Sequence, residues 1–147
     1  MDFKERLLAD FKQAMIEKDE IRKNTVTMIR AAVLQTEKDK RIILEDAGVL
    51  EVIAKELKKR KDVLPEYEKS GRENLIHDLK REMEIITQYL PDQMSEEELR
   101  TLVHEAVKEA GAQSMQDIGR VMGIVMPKIK GRADGRQVNQ ILKEMFG

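Results

Sequence analysis

The sequence predicts an all-α protein, and two observations carry this prediction. Apolar residues recur at intervals of three and four along almost the whole chain, whereas the strict alternation typical of a β-strand is nearly absent. The 147 residues, of which 41% are hydrophobic, are also sufficient to bury a core. We expect an N-terminal antiparallel helical bundle over residues 1–91 and a compact three-helix C-terminal unit over residues 95–147.

The first two helices are indicated by apolar residues at helical spacing. One face of the first helix is formed by Phe3, Leu7, Leu8, Phe11 and Met15. Asp19 and Glu20 suit the beginning of the second helix, which we expect to continue to about Lys40. Its inward face comprises Ile21, Thr25, Met28, Ile29, Ala32, Val33 and Thr36.

The next two helices follow a break predicted from Arg41 to Gly48. The third helix is marked by Leu50, Ile53, Leu57 and Leu64. Pro65 lacks an amide hydrogen, so we expect it to kink or end that helix, and a turn is expected at Ser70 and Gly71. A fourth helix, closed by Pro91, is marked by Leu75, Leu79, Met83, Ile86 and Leu90. Long antiparallel helices joined by short links form a bundle.

The C-terminal unit begins with a recognisable helix start. Ser95 is followed three residues later by Glu98, which predicts a capping box and a helix that starts at Glu96. This helix should end near Gly111. The caps expected for the following two helices are Ser114 with Asp117, and Asp134.

The middle helix of this unit carries a methionine-rich face and two glycines. The face comprises Met115, Ile118, Met122, Val125, Met126 and Ile129, and we interpret it as core packing. Gly119 and Gly123 are four residues apart, so both lie on one side of the helix. Because glycine inside a helix costs about 1 kcal/mol relative to alanine, we expect a neighbouring helix to pack closely there.

Charge is unevenly distributed, although the whole chain has a net charge of only -1. Residues 1–90 are balanced, residues 91–113 contain six acidic and two basic side chains, and residues 114–147 contain six basic and three acidic ones. Four of these bases lie within nine residues, around Gly131 and Gly135: Lys128, Lys130, Arg132 and Arg136. Glycines permit close approach of a ligand to the backbone, and cations favour a polyanion such as nucleic acid.

A purely structural interpretation of the same run is also open. Helix ends often collect lysine and glycine, because these residues complement the helix dipole and form C-caps. Arg136 argues against this interpretation alone, since it follows the Asp134 cap and lies in a first helical turn, where the dipole disfavours a cation.

The sequence predicts no catalytic residue, cofactor or metal site. His104 and Glu105 resemble the start of a zinc-protease motif, but position 108 is lysine, so the second histidine ligand is missing. His77 lies on a separate predicted helix among charged neighbours. Cysteine is absent, and turn or cap positions explain all three serines: Ser70, Ser95 and Ser114.

A cytoplasmic location is expected from composition. The absence of cysteine fits a reducing compartment. The first thirty residues contain no apolar run typical of a secretory signal, and no apolar stretch approaches membrane-spanning length.

A more specific pattern runs from the end of the bundle through the C-terminal unit. It comprises Tyr89, Leu90, Pro91, Gln93, Ser95, Glu96, Glu97, Glu98, Gly119, Val121, Met122, Gly123, Met126, Pro127, Lys128, Lys130, Gly131, Arg132, Ala133, Asp134, Gly135, Val138 and Asn139. With this pattern the chain resembles the YqeY-like (GatB/YqeY) family over essentially its whole length. Tyr67, Gly71 and Arg72 support the resemblance upstream. Glu45 departs from it, because a capping threonine or serine is usual at that position.

The YqeY-like proteins are similar to the C-terminal tail of the B subunit of the glutamine-dependent aspartyl/glutamyl-tRNA amidotransferase. That tail is a helical appendage that helps hold tRNA, whereas activation by ATP and amide transfer belong to other parts of the enzyme. The resemblance therefore implies a tRNA-related binding role without catalysis by this chain alone. A family label of carbon–nitrogen ligase with glutamine as amido donor would be inherited from the assembly.

The expected partner is tRNA or a tRNA-handling protein complex. In the first hypothesis the phosphate contacts come from Lys128, Lys130, Arg132 and Arg136. The alternative is a protein-docking module for such a complex, with no direct contact to nucleic acid.

Overall fold

A computed structural model, which describes residues 1–147, shows seven α-helices, one 3₁₀ turn and no strand, so the all-α prediction is confirmed. The helices are α1 (Phe3–Glu17), α2 (Glu20–Lys40), α3 (Asp46–Ser70), α4 (Glu73–Thr87), α5 (Glu96–Ala110), α6 (Ile118–Ile129) and α7 (Gly135–Phe146), and the 3₁₀ turn is Met115–Asp117. None of the helices is both long enough and apolar enough to traverse a bilayer. The chain divides into two compact units, residues 1–90 and 91–147.

The first unit is a bundle of α1 to α4. Helix α1 packs on α2 and α3 on α4, while α2 also contacts both α3 and α4. The core of the bundle is formed by Leu7, Val26, Ile29, Val33, Leu44, Val49, Val52, Ile53, Leu57, Ile85, Ile86 and Tyr89. Burial of these side chains supplies the main driving force for this unit.

The loop before α3 is shorter than predicted, because α3 begins at Asp46 and Gly48 lies inside it. A Cβ atom added to Gly48 would lie 2.6 Å from Cδ2 of Leu44, so a larger residue there would require the end of the Leu44 side chain to shift. Glu45 occupies the N-cap but makes no side-chain cap hydrogen bond. The adjacent Asp46 carboxylate instead accepts from the backbone N–H of Phe3 at 3.0 Å, which ties the start of α3 to the start of α1.

Of the two outcomes predicted for Pro65, a kink or a helix end, the helix end is wrong, and so is the predicted end of α4. Pro65 does not end α3, which continues to Ser70 and stops at Gly71, whose φ is 68°. The missing proline N–H removes only one helical hydrogen bond, and the remaining bonds carry the helix a further turn. Helix α4 ends at Thr87 rather than at Leu90, and residues 88–90 form a turn.

Several apolar residues predicted to face inward are exposed, namely Leu8, Met15, Met28 and Leu75. In α1 the buried line passes through Leu7 and Ala14 instead. The apolar face predicted for α1 also includes residues beside Leu7 and Ala14. The helices that pack on α1 cover only part of this broader face, so the residues at its edge stay exposed.

A polar cluster joins the end of the bundle to its first two helices. The Tyr89 hydroxyl donates to the Asp10 carboxylate, whose other oxygen lies 3.4 Å from the Arg22 guanidinium. The Arg6 guanidinium stacks 4.4 Å from the centroid of the Tyr89 ring and donates to the Gln88 carbonyl at 2.9 Å. Burial and then the Asp10 carboxylate raise the pKa of Tyr89 far above its ordinary value, so the phenol remains a donor.

The second unit packs α5, α6 and α7 around their own core, formed by Leu99, Val103, Ala106, Val107, Val121, Val125, Ile129, Val138, Ile141 and Leu142. The Ser95 hydroxyl accepts from the Glu98 N–H at 3.1 Å, as predicted. The Glu98 carboxylate, however, lies 3.8 Å from Arg132 instead of completing the capping box. The complete box is found at α7, between Asp134 and Gln137.

The Tyr89 cluster generates a stability prediction. Replacing Tyr89 by Phe should lower the free energy of unfolding by about 2 kcal/mol, because a hydrogen bond to a charged group is lost and a half-buried carboxylate loses one of its donors. Urea unfolding followed by circular dichroism measures this change. Tyr67→Phe is the matched control, since Tyr67 is 36% exposed on α3 and its loss should be nearly neutral. Equal effects of the two variants would contradict the role given to the cluster.

Asp117 generates a pH prediction. The Gln113 N–H, and then the Arg120 guanidinium at 2.7 Å, hold the pKa of this carboxyl below its ordinary value of 3.8. Because the folded pKa is the lower one, the ionised carboxylate stabilises the fold above about pH 4, and that contribution is lost as the pH falls through the folded pKa. NMR titration of the Asp117 carboxyl should give a midpoint below 3.8. Arg120→Ala should move it only partly back, because the Gln113 bond remains; an unchanged midpoint would contradict the contribution of Arg120.

Candidate nucleic-acid interface

Helix α6 has one buried face and one open face. Val121, Val125 and Ile129 are buried against the other helices of the unit, whereas Gly119 and Gly123 are exposed. Met126, which the sequence placed in the core stripe, is 43% exposed. The methionine stripe is therefore core only in part.

The open face contradicts the expected packing at the two glycines. A Cβ atom added to Gly119 or Gly123 would meet no atom within 4 Å, so no neighbouring helix packs there. Pro127 lies four residues after Gly123 and lacks an N–H, so the Gly123 carbonyl has no helical donor. The helix thus leaves the backbone at Gly119 and Gly123 open to close approach, and no contact inside the chain offsets the low helix propensity of these glycines.

The loop between α6 and α7 turns at Gly131, whose φ of 75° lies in the left-handed region. Directly after the turn, the N–H groups of Arg132 and Ala133 both donate to the Ile129 carbonyl, at 2.7 and 3.0 Å. The glycine is therefore required by the turn itself.

The segment that precedes α5 fastens this loop. The Gln93 side-chain amide donates to the Gly131 carbonyl at 2.7 Å, and the Met94 N–H donates to the Arg132 carbonyl at 3.0 Å. In return, Arg132 Nε donates to the Asp92 carbonyl at 3.0 Å. We call these three hydrogen bonds the loop clamp. They give Gln93, Gly131 and Arg132, three of the residues on which the family resemblance was based, a structural role.

Arg136 and Arg132, which were predicted to bind phosphate, both contact acidic side chains. Arg136 Nε and Nη2 each lie 3.2 Å from Oδ2 of Asp134, while Oδ1 of Asp134 accepts from the Arg136 N–H at 3.0 Å. The capping carboxylate thus explains how a cation is accommodated in the first turn of α7. The Arg132 guanidinium lies 3.8 Å from the Glu98 carboxylate.

All four cations retain solvent exposure, but they do not form one tight cluster. The side chains of Arg132 and Arg136 are 37% and 58% exposed, and Lys128 and Lys130 are also exposed. Lys128 lies in the last turn of α6, whereas Lys130 is the C-cap residue and lies outside the helix, with a non-helical ψ of 118°. The structure therefore arranges the cations around the α6–α7 loop, with different orientations.

Gly135, which the sequence suggested as a point of ligand approach, lies against the methionines of α6. A Cβ atom there would lie 3.4 Å from Sδ of Met126 and 3.8 Å from Cε of Met122. These are ordinary van der Waals distances, so packing does not require a glycine at this position. Within α6, Gly119 and Gly123 border open space.

The opposite sign of charge is concentrated on α5. Its first turn contains Glu96, Glu97 and Glu98, where carboxylates suit the positive end of the helix dipole. Arg100 bridges Glu96 at 2.9 Å and Glu144 at 2.8 Å, so the cation on this side is already paired. Within this unit, acidic side chains are therefore concentrated on α5, and basic side chains lie on and beside the α6–α7 loop.

The two histidines lie on exposed helix surfaces. His77 on α4 is 78% exposed at its side chain and lies 3.5 Å from Asp78. His104 is exposed on α5. No three acidic or histidine side chains come together in a group that could hold a metal ion.

Comparison with known proteins identifies the family. The family model described as Yqey-like protein matches residues 4–146, nearly the whole chain. The chain belongs to the YqeY-like protein family. The resemblance stated from the sequence is thereby confirmed.

Several curated relatives of this YqeY-like chain share one name, "Altered inheritance of mitochondria protein 41, mitochondrial". The relative from Pyrenophora tritici-repentis is 30% identical over 145 residues, which cover 97% of this chain and 80% of the relative. Those from Lachancea thermotolerans and Kluyveromyces lactis are 32% and 34% identical over 91 and 84 residues. These two alignments cover 61% and 56% of the chain but only 49% and 45% of the relatives.

The names of these relatives correct the predicted location. All are named as mitochondrial proteins, so the cytoplasmic location expected from composition is wrong, and the relatives point to mitochondria instead. The absence of cysteine was one basis of that expectation, and it distinguishes reducing from oxidising surroundings without naming an organelle.

The open face and the loop turn generate opposite stability predictions. Gly123→Ala should raise the free energy of unfolding by about 1 kcal/mol, because the added methyl group meets open space and helix propensity improves. Gly131→Ala should lower it by about 1 to 2 kcal/mol, because the left-handed conformation strains any residue with a Cβ. Chemical unfolding of the two variants checks both signs. Destabilisation by Gly123→Ala would mean that this face is packed.

Proposed function

We propose that this YqeY-like chain is a tRNA-binding accessory module whose contact surface is the α6–α7 loop with the adjoining open face of α6. The observation that carries the proposal is the placement of four exposed cations, Lys128, Lys130, Arg132 and Arg136, on and beside a loop fixed by the loop clamp. The proposal assigns no bond-making step to the chain.

The charges support phosphate binding despite their acidic partners. Exposed ion pairs contribute only about 0 to 1 kcal/mol, so a phosphate group can displace or share Asp134 at Arg136 and Glu98 at Arg132. Guanidinium groups can bind two phosphate oxygens at once, which stabilises the phosphate contact that would replace each ion pair. Lys128 has no ion pair in the structure, so its ammonium group needs no such exchange.

The shape of the surface supports recognition of backbone rather than of bases. Phe146 is the only aromatic residue in the last third of the chain and packs partly buried against the core, so stacking on bases is not part of the proposal. The bare backbone at Gly119 and Gly123 permits close approach of a nucleic-acid strand.

The alternative is a protein-docking module of a tRNA-handling complex, with no direct contact to nucleic acid. The observation that favours it is the same open face, because glycines beside the exposed Met126 also suit a partner helix at short interaxial distance. The names of the relatives mention mitochondrial inheritance and no nucleic acid, so they do not favour either candidate.

A salt titration separates the two candidates. Binding of total tRNA to the intact chain should weaken steeply with salt, and Lys128→Ala, Lys130→Ala and Arg136→Ala should each flatten the slope of log affinity against log salt by about one. Arg132 is left unaltered in this series, because truncation to alanine and replacement by lysine would both remove the Nε–H group that donates to the Asp92 carbonyl in the loop clamp.

The matched control is Lys108→Ala, which removes an exposed lysine from acidic α5 in the same unit and should leave the slope unchanged. Circular dichroism confirms that each variant is folded. Absence of binding at low salt would refute direct tRNA contact and leave the docking candidate. Equal flattening by Lys108→Ala would refute the assigned surface.

A further inference from the structure

A half-open apolar groove of about 350 Å³ lies between α1 and α2 in the first unit. It is lined by Lys4, Glu5, Leu7, Leu8, Arg30, Val33, Leu34 and Glu37. No other element of the bundle covers this side, since Leu8 and Leu34 remain 38% and 58% exposed. Large apolar side chains in a concave setting are typical of an interaction site rather than of ordinary surface.

The groove continues as an apolar stripe along α1. Leu7 and Val33 form its buried floor, and Leu8 and Leu34 form its exposed walls. Met15 follows Leu8 by seven residues, so it lies on the same side of α1, and it is 54% exposed. From Lys4 to Met15 the stripe spans about 16 Å, or three helical turns.

The charged side chains at the rim of the groove differ in whether they are paired. At one end Lys4 Nζ contacts Glu37 at 2.6 Å, and Glu37 also accepts from the Leu44 N–H at 2.7 Å, so these two charges cancel. Glu5 lies in the first turn of α1, where the helix dipole accommodates its carboxylate.

Arg30 is different, because it lies in the middle of α2 and no acid pairs with it. Its guanidinium stacks 5.5 Å from the centroid of the Phe11 ring and borders the groove. Lys12, four residues after Leu8 on α1, is also exposed without an ion pair. The uncompensated charge beside the middle of the groove is therefore positive.

We propose that this groove binds an amphipathic helix of a partner protein, with apolar side chains over about three turns and an acidic side chain opposite Arg30. The length of the stripe matches a helix laid along α1 and α2, and the unpaired guanidinium is complementary to a carboxylate. An apolar floor offers no donor to phosphate, which argues against nucleic acid at this position. The site lies in the first unit and does not depend on the proposed tRNA surface of the second.

A designed peptide tests the groove on the intact chain. The probe is a fluorescein-labelled helical peptide of about 16 residues, with leucine at positions i, i+4, i+7 and i+11 and glutamate along both flanks. Fluorescence anisotropy should show saturable binding, at least tenfold weaker for Leu34→Lys. Arg30→Glu should weaken binding of this acidic peptide at least tenfold. The same substitution should strengthen binding of a second peptide in which lysine replaces each glutamate.

Controls make the result specific. Leu75→Lys alters an equally apolar residue, 43% exposed on α4 away from the groove, and should leave binding unchanged. A peptide of the same composition with scrambled leucine positions should not bind.

Three outcomes would overturn the proposal. The first is equal binding of the scrambled peptide or an unaltered affinity of Leu34→Lys. The second is sedimentation showing a dimer of the chain that Leu34→Lys dissociates, because a second copy would then occupy the groove. The third is binding of the chain to anionic phospholipid vesicles, if Leu34→Lys abolishes that binding. The tRNA titration is unaffected by any of these outcomes.

Discussion

The hydrogen bonds between residues 92–94 and the α6–α7 loop are the constraint on which the candidate interface depends. The Gln93 side chain and the Met94 backbone hold Gly131 and Arg132 from one side, and Arg132 returns a bond to Asp92. This fixes the loop relative to the start of α5 and so fixes the points from which its cations project. A site whose charges are held in place binds with less loss of conformational entropy than a mobile basic tail does.

Much of the fold could be predicted because its signals are local. Helix starts at Asp19, Ser95 and Asp134 follow from a short polar side chain that accepts a first-turn N–H, and the structure contains each of these bonds. Gly71 and Gly111 end their helices in the left-handed conformation, as helix-end glycines usually do. Such signals depend on a few neighbouring residues, so the chain itself contains the required information.

Other features depend on which helices pack against each other, and the predictions made from the sequence were less accurate for these. Glycine spacing in α6 predicted a packed neighbour, but the exposed face of Gly119 and Gly123 is set by the positions of α5 and α7. Similarly, spacing alone placed Leu8 in the core, whereas the arrangement of the bundle leaves it at an open groove. The pairing of Arg132 with Glu98 and the Asp92 carbonyl joins positions far apart in the chain, and only the folded structure brings them together.

In our proposal, the clamped loop and the open face of α6 form the contact surface for tRNA. Backbone amide shifts of the isotope-labelled chain, recorded by NMR as tRNA is added, locate this surface residue by residue. We expect the shifts to concentrate at Gly119, Gly123 and residues 128–136, while the exposed face of α5 and the α1–α2 groove stay unchanged. Shifts confined to α5 or to the first unit, or no shifts at saturating tRNA, would contradict it.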